Sequence, residues 1–141
     1  MIDEPAQTLS DLAQRLATRL LPDLQTTYSQ ADAALISGLM LGLAQDYERA
    51  VDNRMRDINE INEIFRSLGN EVPGAVERSA FMDQAPSSLH LTDVNTLHAQ
   101  GMELLIQLHA WAESADDTLN RQIWQLLHRH CERNRFDITG G

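Results

Sequence analysis

Five histidines and one cysteine are the residues of this chain best suited to metal binding or nucleophilic catalysis. His98 and His109 lie eleven residues apart in one predicted helix, so they share a side of it but are about 16 Å apart. One metal ion cannot bridge that distance. His128 and His130 are two residues apart, and their side chains therefore point in nearly opposite directions. We expect these histidines to be bonded internally or to lie at the solvent edge, and we predict no metal site and no cofactor.

The enzyme signatures that fit a helical protein are missing from the sequence. Di-iron carboxylate bundles need Glu-x-x-His pairs, and no histidine of this chain has an acidic residue three positions before it. The acids of the long predicted helix also point away from its apolar stripe. Cys131 follows His130 directly, but neighbours in a helix diverge by about 100°, which disfavours a Cys–His nucleophile pair. The sequence favours a non-catalytic protein, with enzymatic activity left open.

Arg54 is the charged residue whose predicted position needs an explanation. It falls within about 20° of Tyr47 and Phe65 on the apolar side of a predicted helix. An unpaired buried charge costs several kcal/mol, so the guanidinium needs a partner. One interpretation is an anionic ligand or cofactor bound in the helix core by Arg54, with Tyr47, Asn62 or His130 nearby. The other is an internal ion pair, or a side chain that reaches solvent at the edge of the stripe.

The helix that positions Arg54 is predicted to run from about residue 30 to 68. Apolar residues recur along it at steps of three and four, the spacing of one helical face. They are Ile36, Met40, Leu43, Tyr47, Val51, Ile58, Ile61, Phe65 and Leu68. We expect this face to pack against the shorter helices.

The first part of this long helix is apolar on nearly every side. Gly38 and Gly42 lie opposite the main stripe, and small residues four apart let a second helix approach closely. A helix that is apolar all round must be covered all round. A second copy of the chain could supply that cover in a homodimer, or the connector could supply it through Val76, Phe81 and Met82; we favour the homodimer. The predicted interface residues are Ala34, Leu35, Gly38, Leu39, Leu41 and Gly42.

Local signals divide the rest of the chain into further helices. Ser/Thr-x-x-Asp patterns that begin at Thr8, Ser29 and Ser114 predict three helix starts. Pro22 should kink or end the first helix because it has no amide hydrogen. Glycine and asparagine after Leu68 are a stop signal for the long helix.

These elements predict an all-α protein. We expect an up-and-down helical bundle of three to four main helices, with a short connector helix at about residues 74–84. Residues 1–141 are predicted to form a single domain. Residues 1–7 and 136–141 are predicted to be loose tails.

Composition narrows the partners and the location of the protein. The net charge is -10, with 21 acidic against 11 basic residues, so the chain repels phosphate backbones and nucleic acid is not expected as a partner. The longest apolar run, residues 33–44, is too short for a bilayer, which needs about 20 residues. A single cysteine rules out an internal disulfide and favours a reducing compartment. We expect a soluble cytoplasmic homodimer that contacts another protein.

Overall fold

The computed structural model describes residues 1–137, which contain helices and connecting turns but no β-strand. The predicted all-α class is therefore confirmed, as is the long helix. The helices are α1 (Pro5–Arg15), α2 (Thr27–Arg66), α3 (Ala75–Met82), α4 (Leu91–Ala115) and α5 (Asp117–Arg133). Residues 138–141 of the predicted C-terminal tail lie outside the described residues. None of the described helices is both long enough and apolar enough to cross a membrane.

The chain divides into two compact units. The first unit contains Met1–Arg49 and the C-terminal segment that starts at Phe136. The second unit is Ala50–Arg135, so α2 contributes to both.

In the first unit, the side of α2 that is buried carries small residues. Ala33, Ser37 and Ala44 are 6%, 6% and 5% exposed, and Ser37 Oγ donates a hydrogen bond of 2.9 Å to the carbonyl oxygen of Ala13 in α1. Small side chains permit this close contact between two helix backbones. The chain leaves α1 through a π-type turn at Leu16–Leu20 and a 3₁₀ turn at Leu21–Asp23. The second turn contains Pro22, in agreement with its predicted helix-ending role.

The predicted apolar stripe is wrong for this first part of α2. Ile36, Leu43 and Tyr47 are 45%, 59% and 62% exposed, although the periodicity placed them on the packing face. The reason is that a repeat of three and four residues shows which face is apolar but not which face a neighbouring helix meets. α1 meets the small residues, and the bulky ones remain outside.

The second unit has a conventional apolar core to which the later part of α2 contributes. Ile58, Ile61 and Phe65 are at most 3% exposed, as the stripe predicted. Phe65 meets Phe81 of α3 edge to face, with ring centroids 5.9 Å apart. Gly101 of α4 permits the closest approach, because a Cβ there would lie 2.6 Å from Cζ of Phe81. The predicted connector helix is confirmed as α3.

Arg78 fixes the turn between α2 and α3. It is only 4% exposed and donates hydrogen bonds to the carbonyl oxygens of Gly69 (3.1 Å), Val72 (3.2 Å) and Pro73. One guanidinium thereby satisfies carbonyl groups that follow the end of α2. Its partners are backbone oxygens, so we assign Arg78 a structural role.

The helix starts differ from the predicted capping patterns. The amide of Ser29 donates to Thr26 Oγ1 (3.1 Å), so Thr26 caps α2. The hydroxyl of Thr8 donates back to the carbonyl of Glu4 (2.9 Å) inside α1. Asp116 caps α5 by accepting the amide hydrogen of Leu119 (3.0 Å). No described side chain caps the start of α1, and at α2 and α5 the cap is a neighbour of the predicted residue, so spacing alone did not identify the capping side chain.

Candidate functional site

Three helices of the second unit bring Asp57, His98 and His130 together. Asp57 of α2 is 0% exposed, and its Oδ2 lies 2.9 Å from His98 Nε2 of α4 and 2.6 Å from His130 Nδ1 of α5. The two imidazole rings stack with centroids 5.8 Å apart and planes at 22°. The carboxylate oxygen Oδ2 is thus shared by two imidazole nitrogens, and we call these three residues the Asp–His cluster.

An ion-pair network holds the second oxygen of Asp57. Arg133 Nη2 donates to Asp57 Oδ1, and Arg133 Nη1 donates to Glu60 Oε1 at 2.5 Å. Arg129 donates to the other oxygen of Glu60 through Nε (2.9 Å) and Nη2 (2.8 Å). Two carboxylates therefore face two guanidinium groups. The side chain of Arg133 is only 16% exposed, so this network is less screened by water than a surface pair.

The apolar pattern of the helices explains why these polar side chains meet. Ile123 and Leu126 are fully buried on α5, and His130 and Arg133 continue the same line at steps of four and three residues. Asp57 directly precedes the buried Ile58 on α2. Packing of the apolar residues thus brings the polar ones to the same end of the second unit.

The electrostatic surroundings keep Asp57 ionised. Burial raises the pKa of Asp57, but the hydrogen bonds from His98, Arg133 and His130 outweigh it and lower the pKa to about 2. Burial also disfavours the charged form of Arg133 and so lowers its pKa. The hydrogen bonds and charges of Asp57 and Glu60 raise that pKa by more, and the net shift is upward. At neutral pH the cluster offers one anionic carboxylate oxygen beside two imidazole nitrogens, atom types that serve as ligands of transition-metal cations.

The expectation that the acids of α2 point away from its apolar side is wrong for Asp57. Glu60 is also only 21% exposed on its side chain, because Arg129 and Arg133 cover it. Sequence reasoning compared histidines only within one helix and so missed the pair formed by His98 and His130. A signal was present: His130 falls on the buried line of its helix and needs a polar partner from another one.

The other histidines are placed as expected. His109 Nε2 lies 2.9 Å from Asn120 Oδ1, and its ring meets Trp124 edge to face at 5.3 Å. His128 is exposed, whereas His130 two residues later is half-buried. His98 and His109 therefore have separate partners, in agreement with the distance argument.

The four residues predicted to bind an anionic ligand have different surroundings. Arg54 is half-buried and its Nη1 donates to the carbonyl oxygen of Ala50 (3.0 Å), while His130 is bonded to Asp57. Asn62 is 7% exposed, and its Oδ1 has no hydrogen-bond partner among the described residues. Tyr47 belongs to the first unit and is 62% exposed. Ligand binding through Arg54 stays a prediction.

The predicted interface residues lie on the open side of α2 in the first unit. Ala34 is exposed, Leu35, Leu39 and Leu41 are 60%, 59% and 43% exposed, and a Cβ on Gly38 would meet nothing within 4 Å. Gly42 is the exception, because a Cβ there would lie 3.5 Å from the Phe136 ring.

Phe136 also borders a groove on this side of the first unit. The groove has a volume of about 360 Å³ and is lined by Gly38, Leu39, Gly42, Leu43 and Phe136, among others. Two hydrogen bonds hold the adjacent backbone: Gln45 Nε2 donates to the Asp137 carbonyl (2.7 Å), and the Asp137 amide donates to Gln45 Oε1 (2.9 Å). Residues 136 and 137 of the predicted tail are thus anchored to α2.

The connector residues named as the alternative cover belong to the second unit. Phe81 is 2% exposed in the core of the second unit, beside Phe65 and Gly101. Val76 is 79% exposed. Cover of the apolar residues of α2 by the connector and cover by a second copy of the chain both stay predictions.

Comparison with known proteins gives no relative from which a role could be transferred. No protein-family model, curated protein or solved structure matches this chain.

Proposed function

We propose that this chain is a non-catalytic helical protein that forms a homodimer and acts through contact with another protein. The supporting observation is a stripe on α2 in the first unit, the apolar face. Its residues are Leu35, Ile36, Leu39, Leu43 and Tyr47, which are between 45% and 62% exposed. Continuous apolar surface of this kind is typical of interaction sites on soluble proteins.

The form of the apolar face suits a second copy of the same chain. Leu35, Leu39 and Leu43 follow one another at four-residue steps and make a ridge along the helix. Beside the ridge, Gly38 leaves room in which the ridge of a partner helix can lie. The leucine ridge and the space beside Gly38 lie on the same surface of the chain. A two-fold symmetric interface requires both features on one surface.

The net charge of the chain predicts how salt should affect the homodimer. Each copy carries a net charge of -10, so two copies repel each other at long range. The attraction comes from burial of the apolar face, which salt does not screen. Added salt should therefore strengthen self-association, the opposite of its effect on a contact between unlike charges.

The proposal includes a reducing cytoplasmic setting, supported by the exposed free thiol of Cys131.

Sedimentation velocity on the purified full chain tests the proposal at roughly 1 to 100 µM, the range of a moderate affinity. The wild type should sediment as a dimer, and Leu39→Glu should sediment as a monomer because it would bury a charge in the interface. Val76→Glu is the matched control, since Val76 is 79% exposed on α3 in the second unit. It should leave the dimer unchanged.

Two results would overturn the homodimer. One is a wild-type chain that stays monomeric at the highest concentration in both low and high salt. The other is a Leu39→Glu variant that dimerises as tightly as the wild type. In the first case the apolar face would be left for a different protein partner.

A further inference from the structure

We propose that Asp57, His98 and His130 bind a divalent transition-metal ion such as Zn²⁺. The donor atoms are Asp57 Oδ2, His98 Nε2 and His130 Nδ1, which lie within 4.8 Å of one another. They come from three helices of the same unit. Side chains on helices are held more firmly than side chains on loops, so the three atoms are already gathered for a common ligand.

The donor set selects the class of metal. Two imidazole nitrogens and one carboxylate oxygen suit Zn²⁺, Co²⁺, Ni²⁺ or Fe²⁺, whereas Mg²⁺ and Ca²⁺ favour ligands that are all oxygen. Three protein ligands leave at least one coordination position for water or another small molecule. The side chains of His98 and His130 are 15% and 28% exposed, so solvent can reach the cluster.

Metal binding requires the hydrogen on each ligating nitrogen to leave that atom. When His98 Nε2 and His130 Nδ1 donate to Asp57, each carries its hydrogen on the atom that would become a ligand. A neutral imidazole can move that hydrogen to its other ring nitrogen. Two N–H···O contacts are then replaced by metal–ligand bonds.

Arg133 and Glu60 act as positioning residues for the cluster. Arg133 holds Oδ1 of Asp57, which leaves Oδ2 directed at the two imidazoles. Glu60 binds the same guanidinium and compensates its charge. Such outer contacts orient a ligand and are a regular part of metal sites. The positive charge of Arg133 beside the cation should keep the affinity below that of a site with several carboxylates.

The competing explanation is that the same contacts form a closed structural network with no room for a metal. It predicts a different result from metal titration. A purely structural cluster would bind no cation at neutral pH, and its histidine variants would alter stability without altering metal binding.

The experiment is a titration of untagged full-length protein, freed of metal with a chelator and then desalted, with Co²⁺ as the probe. Visible absorption of Co²⁺ reports coordination by imidazole, and Zn²⁺ should displace it. We expect one Co²⁺ per chain and a higher melting temperature when it is bound. His98→Gln and His130→Gln should each weaken Co²⁺ binding at least about tenfold, because each removes one ligand.

The chain supplies matched controls for both variants. His109→Gln lies on α4 with His98, and His128→Gln lies two residues from His130 on α5. Both should bind Co²⁺ as the wild type does. Circular dichroism establishes that each variant is folded, and His98→Gln decides the question because Asp57 and Arg133 remain paired in it.

Two outcomes would overturn the site. The first is a folded, metal-free wild type that shows no Co²⁺ absorption and no shift in melting temperature with Co²⁺ or Zn²⁺. The second is equal loss of binding in His128→Gln, or full binding in His98→Gln, which would assign the metal to surface histidines. The proposal is independent of the homodimer, since its residues all belong to the second unit.

Discussion

The two parts of α2 differ in which side chains they bury. In the first unit the helix buries Ala33, Ser37 and Ala44, while leucines that include Leu39 are more than half exposed. In the second unit it buries Asp57 completely beside the apolar core. A single helix thus has an unsatisfied apolar surface in one unit and a satisfied internal charge in the other. Hydrophobicity alone does not decide what is buried; the partner that each residue meets does.

The largest expected effect comes from removal of the buried carboxylate. In metal-free buffer, Asp57→Ala should lower the free energy of unfolding by about 3 to 5 kcal/mol, because it removes the buried carboxylate that His98, His130 and Arg133 share and leaves Arg133 with Glu60 alone. Chemical denaturation monitored by circular dichroism measures the change. The matched control is Asp52→Ala on the same helix, whose ion pair with Arg56 is more than 60% exposed on both sides. It should change stability by less than about 1 kcal/mol. Equal stability of Asp57→Ala and Asp52→Ala would contradict the expected difference between a buried and an exposed carboxylate.

The same truncation of a leucine in the two units should have unequal effects. Leu105→Ala removes a side chain that is 1% exposed in the second unit and should cost about 3 kcal/mol through lost burial and a cavity. Leu39 is 59% exposed, and Leu39→Ala should change monomer stability by less than about 0.5 kcal/mol. Denaturation has to be measured at a concentration where the chain is monomeric, because dimer formation adds apparent stability. A large loss for Leu39→Ala in the monomer would show that the apolar face is covered within one chain.

The smallest effect concerns two glycines and should differ in sign. Gly101→Ala places a Cβ 2.6 Å from the Phe81 ring, so it should destabilise the protein by about 1 kcal/mol or more. Gly38→Ala meets nothing within 4 Å and should stabilise the monomer by up to about 1 kcal/mol, since alanine favours the helix. Thermal denaturation of both variants beside the wild type measures the difference. A stabilised Gly101→Ala would mean that α3 and α4 can separate slightly at no cost.

The sequence predicted the elements that depend on regular spacing. The predicted bounds of the long helix and of α3 agree with the structure to within a few residues, and Ile58, Ile61 and Phe65 are buried as predicted. A three-and-four repeat identifies such faces because helix geometry is the same in every protein.

What the sequence missed depends on contacts between helices. The burial of Asp57 follows from His98, Arg133 and His130, which lie 41 to 76 residues further along the chain. Periodicity within one helix carries no information on such partners. The exposure of Ile36 has a related cause, since small residues on another side of α2 allow the closer contact with α1.

The contacts of Asp57 also bear on how α5 finds its register during folding. If α5 slid by one turn along its neighbours, Ile123 and Leu126 could still meet apolar side chains. His130 and Arg133 would then be moved by about 5 Å, more than the length of a hydrogen bond, and Asp57 would keep only His98 of α4 as a partner. The buried carboxylate thereby discriminates between one alignment of the helices and its near alternatives, a distinction that leucines and isoleucines by themselves are too alike to make.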